Sequence, residues 1–111
     1  MTDYYKAARA NGWDFRTGNT INYRANIGEN VVPPNARIPP SVCMSGILHA
    51  RGTLESALRA SQEIIAKGYG RSVYRITGNP VVSDGNDPKS ATYGFVSLYI
   101  VEELTEYYIA P

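Results

Sequence analysis

The sequence predicts an α+β fold: a twisted, mostly antiparallel sheet with one principal helix, about residues 54–67, packed on it. Three observations predict it. Short runs of strand-forming residues are punctuated by turn signals at Asn11-Gly12, Thr17-Gly18-Asn19 and Gly78-Asn79-Pro80. One segment repeats apolar residues at intervals of three and four, the period of a helix. The balance of 43% hydrophobic and 19% charged residues in 111 residues suits one globular core, since domains usually run to about 100–150 residues. Residues 1–111 are therefore read as a single small α+β domain.

Along the chain, Tyr4 to Ala8 is rich in strand formers, and Asn11-Gly12 is a turn of the kind that needs a positive φ. Trp13 and Phe15 alternate with Asp14 and Arg16, and Ile21 and Tyr23 alternate with Asn22 and Arg24, which reads as a β meander. The Gly28–Ser41 segment carries four prolines in two pairs. Proline removes backbone donors, so this should be a surface loop with at most a short edge strand. Ser41 to Ala50 is an apolar run of strand length, in which Gly46 marks a bulge or a close backbone approach and Cys43 is a small buried hydrophobe.

Thr53 is the expected N-cap of the helix, with Glu55 in its first turn. Leu54, Ala57, Leu58, Ser61, Ile64 and Ile65 form its inner stripe, Glu63 pairs with Lys67 or Arg59, and Gly68 ends it. Ser72 to Thr77 reads as a strand with Val73 and Arg75 on one side and Tyr74 and Ile76 on the other. Val81-Val82 is a second, and Asp84–Ser90 a tight loop. Tyr93 to Leu104 is the longest β-type segment, apolar on both faces, and so expected to be one central strand.

Composition limits the chemistry. Cys43 is the sole cysteine and His49 the sole histidine, so an intrachain disulfide, a multi-cysteine zinc site and a histidine metal pair are all excluded. No metal and no cofactor are expected. No apolar run approaches the roughly 18 residues that cross a bilayer, and residues 1–10 lack a signal-peptide pattern, so a cytoplasmic location with no membrane partner is expected. The net charge of +1 conceals an asymmetry: residues 1–83 carry ten basic side chains against five acids, and residues 84–111 carry Lys89 against five. Eight of the eleven basic residues are arginines, whose planar fork suits carboxylate or phosphate.

Nine tyrosines are the most unusual feature of the composition. A tyrosine joins a large apolar face to a polar end, which suits an interface, and the pairs Tyr23-Arg24 and Tyr74-Arg75 could stack on bases or on a partner's side chains. The candidate binding set is Tyr4, Tyr5, Tyr23, Arg24, His49, Arg51, Tyr74, Arg75, Tyr107 and Tyr108; packing around the rim of a small sheet is the alternative. His49, at a strand end before a helix, is either a ligand or acid–base group or a histidine bonded to a backbone carbonyl at the core's edge. Glu102, Glu103 and Glu106 offer a carboxylate or simply a solvated face.

The stretches YYKAARANGWDFRTG, INY, SVCMSGILHARGTLESAL, SVYRITGNPVV and LYIVEEL, in that order, resemble a family of small uncharacterised proteins from actinobacteria and their phages. That resemblance implies a bacterial or phage origin and a host-cell cytoplasmic location. A looser similarity links Gly-Ile-Leu-His-Ala and the following helix to ADP-ribosyltransferase-like domains. It implies an NAD pocket bordered by Gly46 and His49, with Glu102 or Glu103 as the catalytic carboxylate, although the strand Tyr4-Tyr5-Lys6-Ala7 carries neither the His nor the Arg usual there. Three functions are expected: a non-catalytic binding or regulatory module, phage-encoded, that occupies a host macromolecule; an NAD-dependent transferase; and a single-stranded nucleic-acid binder. The oligomeric state stays open.

Overall fold

A computed structural model describes residues 2–16, 18, 20–33 and 47–104. It contains strands β1 (Asp3–Ala8), β2 (Asn30–Val31), β3 (Leu48–Arg51), β4 (Ser72–Thr77), β5 (Val82–Ser83), β6 (Thr92–Phe95) and β7 (Leu98–Leu104), and one α-helix, α1 (Leu54–Ala66). All seven strands join one antiparallel sheet in the order β2-β7-β4-β1-β3-β6-β5, open at both ends. This is the α+β architecture that the sequence predicts.

The connection from β6 to β7 shapes the molecule. Only Val96 and Ser97 separate these strands, so Phe95 and Leu98 lie at most about 11 Å apart along the chain. In a flat sheet the three intervening strands would hold them about 19 Å apart, four spacings of roughly 4.8 Å. The sheet must therefore curl. Gly78 sits at the closure, where an added Cβ would lie 3.2 Å from the Phe95 ring and 3.3 Å from the Ser97 carbonyl oxygen.

Pairing fixes what each face carries. Tyr4, Lys6 and Ala8 of β1 face the same way as Ile76, Tyr74 and Ser72 of β4. This concave face holds the larger core, with Leu48, Ala50, Phe95, Leu98 and Ile100 packed around Tyr23 and Val31. The convex face takes α1, whose Ala57 packs on Val73 with Tyr5, Leu54, Leu58 and Leu104 around it. Thr53 caps the helix by accepting a hydrogen bond from Ser56 N at 3.1 Å.

Several local expectations are corrected. The described residues between 13 and 24 form no meander: one isolated bridge, Trp13 with Asn22, is followed by a 3-10 turn at Arg24–Asn26. Tyr23 is instead a plug, fully buried against Tyr74. Tyr93 to Leu104 is two strands, β6 and β7, which lie on opposite sides of β1, and it is β1 that is central. On α1, Arg59 pairs back to Glu55 at 4.0 Å, and neither Arg59 nor Lys67 pairs with Glu63. The edge strand expected near the prolines is β2, whereas Cys43, Gly46 and most of the proline-rich segment lie outside the described residues.

A candidate docking site at the helix C-terminus

Two turns meet at one end of the sheet. After β1 the chain reverses through Gly12, whose φ of +93° and the crowding of Asn22 and Arg24 around its Cα leave no room for a side chain. Arg9 N donates to Trp13 O, Gly12 N to Arg9 O, and Gly18 N to Asp14 O, which draws residues 9–16 and Gly18 together. α1 ends in a Schellman motif: Tyr69 N donates to Ile64 O and Gly68 N, at a φ of +83°, to Ile65 O. Ala10 N then donates to Tyr69 O at 3.2 Å and joins the two turns.

Between them lies a shallow cavity of about 240 Å³ lined by Arg9, Phe15, Arg16, Glu63, Lys67 and Tyr69. Arg9 is held rigidly: Nε and Nη2 donate to Phe15 O at 3.1 and 2.8 Å, and its guanidinium lies 3.8 Å from the centre of the Tyr69 ring. Phe15 meets Tyr69 edge-on at 6.3 Å. Three cations thus surround two aromatic rings and one carboxylate. Among the described residues, no carboxylate forms an ion pair with Arg9, Arg16 or Lys67.

Two of the other arginines near the sheet are paired with carboxylates. Arg24 grips Glu103 through Nε at 2.8 Å and Nη2 at 3.0 Å, bonds that raise its pKa, and also donates to Ala10 O. Arg75 lies between Glu102, which takes two of its nitrogens, and Asp3 at 3.4 Å, and its pKa rises chiefly through the bond to Glu102. Arg51 reaches Ser56 Oγ and Ser90 O, both at 3.4 Å.

The residues singled out from sequence do not gather into one site. Tyr23 and Tyr74 have no exposed surface, which removes both rings from any binding face. Tyr4 packs inward against Tyr93 and Phe95, each at 5.1 Å, and Tyr5 packs under the helix. Tyr107 and Tyr108 lie outside the described residues, as does Glu106. His49 is half-buried on β3 opposite Gly94, on the convex face. Glu102 shares that face but lies on β7, three strand spacings or about 14 Å across the sheet, while Glu103 pairs opposite Tyr74 on the concave face. Imidazole and carboxylate therefore do not converge.

Sequence reading missed Arg9, Arg16, Lys67 and Tyr69 as a group. Their signal was two basic residues flanking the Asn11-Gly12 turn and a Lys-Gly-Tyr at the helix end, but only the tertiary fold brings the two together.

Inside the concave face a second polar group stands apart from the groove. Lys6 Nζ lies 3.7 Å from Asp14 Oδ1 and 5.7 Å from the centre of the Tyr23 ring, with 13% of the Lys6 side chain exposed. Burial lowers the Lys6 pKa, an effect that Asp14 opposes. Burial also pushes the Tyr23 phenol well above its usual value, and its hydroxyl has no hydrogen-bond partner among the described residues.

Among the described residues no group of three or more acids, histidines or cysteines is placed to hold a metal ion, and no helix is long and apolar enough to cross a membrane. Comparison with protein-family models, with curated proteins and with solved structures finds no match to this chain.

Proposed function

We propose that this protein is a non-catalytic binding module that docks an acidic surface of a partner protein in the groove of Arg9, Arg16, Lys67 and Tyr69. A phage-encoded regulator that occupies a host protein in the bacterial cytoplasm fits this reading. The observation that carries it is the contrast in charge pairing. Arg24, Arg59 and Arg75 are each matched by a carboxylate of the chain itself. Arg51, Arg71 and Lys89, like the groove cations, form no ion pair among the described residues, but only the groove gathers three such cations beside two aromatic rings and one acid. Aromatic and arginine side chains are what protein interfaces enrich, and unmatched charge steers an oppositely charged partner.

Capture from bacterial cytosol tests it, with the wild-type chain and an R16E/K67E double variant compared by mass spectrometry. A stoichiometric protein held by the first and lost by the second is the expected outcome. Identical captures by both would remove the groove from the function.

A further inference from the structure

The geometry points to a phosphate monoester on a partner's side chain, a phosphoserine or phosphothreonine, as the group that enters the groove; this rests on the docking reading above. Size is the first argument. The depression is shallow and open to solvent and, at about 240 Å³, smaller than the roughly 300–1,000 Å³ typical of sites that enclose a whole small molecule, so it can receive an exposed head group on a larger partner but does not enclose a ligand. Charge is the second. The lining carries an excess of two positive charges, and a phosphate monoester brings about −1.5 to −2 near neutral pH where a carboxylate brings only −1.

Donor chemistry is the third argument. Two of the three cations are guanidinium groups, which suit phosphate oxygens. The Nε–Nη2 edge of Arg9 is taken by Phe15 O, so Arg9 presents its remaining N–H groups from a position already immobilised by Phe15 O and Tyr69, and little freedom is lost when an anion arrives. A nucleic-acid strand needs a continuous cationic track instead. Here Glu55 and Glu63 break up the exposed face of α1, and Arg24 and Arg75 are each tied to a glutamate. The groove instead gathers three cations that no carboxylate pairs with among the described residues, whereas Arg51 and Lys89 stand apart from it.

The experiment is an NMR titration of the ¹⁵N-labelled chain at low salt with four probes. These are a capped alanine peptide with a central phosphoserine, the same peptide with serine, the same with glutamate, and a short single-stranded DNA. The phosphoserine peptide should bind at least roughly tenfold more tightly than the glutamate peptide. It should shift the amides of Arg9, Arg16, Lys67 and Tyr69, and R16A/K67A should abolish these shifts while leaving the rest of the spectrum in place. Equal binding of the glutamate peptide would overturn the phosphate assignment yet leave acidic docking standing. Tighter, steeply salt-dependent binding of DNA would overturn it in favour of nucleic acid. Silence from all four probes, with capture still dependent on Arg16 and Lys67, would defeat this inference alone; silence with charge-insensitive capture would defeat both.

Discussion

Tyr23 shows how one side chain can set both the packing and the pH response of a small core. Its ring fills the concave face beside Tyr74, yet its buried hydroxyl finds no partner among the described residues. A buried polar group without a partner costs about 1–3 kcal/mol. Tyr23→Phe keeps the ring and removes the hydroxyl, so it should raise stability by about 1 kcal/mol, roughly 4 °C in Tm. The sign of the pH effect follows from linkage. The folded-state pKa of Tyr23 is raised above the 10.0 of a free phenol, so the stability linked to its proton is complete below pH 10 and is lost as pH climbs through the folded-state value. Thermal melts should therefore show the advantage of Y23F widening above pH 10; a variant that melts lower at every pH would mean that the hydroxyl has a partner after all.

At the scale of elements, much was legible and the failures have physical causes. The helix was readable because a 3.6-residue period, a threonine cap and a glycine end all agree at Thr53, Leu54–Ala66 and Gly68. Thr53→Ala should cost about 1 kcal/mol in a denaturant titration, since it orphans Ser56 N; an unchanged midpoint would show that the cap is redundant. β4 was readable down to its faces. Tyr93–Leu104 was misread because Val96-Ser97 carries no glycine or proline, so the break there arises from long-range pairing and not from local preference. Trp13–Arg24 was misread because alternation is necessary for a strand but not sufficient; Tyr23 faces inward from a turn. The groove could not be seen at all, because it joins residues 9–16 to residues 63–69, and no spacing rule links the end of β1 to the end of α1.

The described residues form a sheet curled around a core, with a helix on the outside and a cluster of three cations at one end. The two-residue link between β6 and β7 makes Phe95 a keystone, since it abuts both Tyr4 and the backbone near Gly78. Phe95→Ala should cost about 3–5 kcal/mol, a large part of the stability of a chain this size. Urea unfolding would read this directly, and a loss under about 1 kcal/mol would imply that the curl does not depend on the ring.

The proposed working surface lies where β1 and α1 end, away from His49 and Glu102 on the convex face. Amide hydrogen exchange of the chain, alone and bound to its captured partner, tests this most directly. Exchange should slow only in residues 9–16 and 63–70. Protection centred on His49, Gly94 and Glu102, with no change at Arg16 or Lys67, would contradict it.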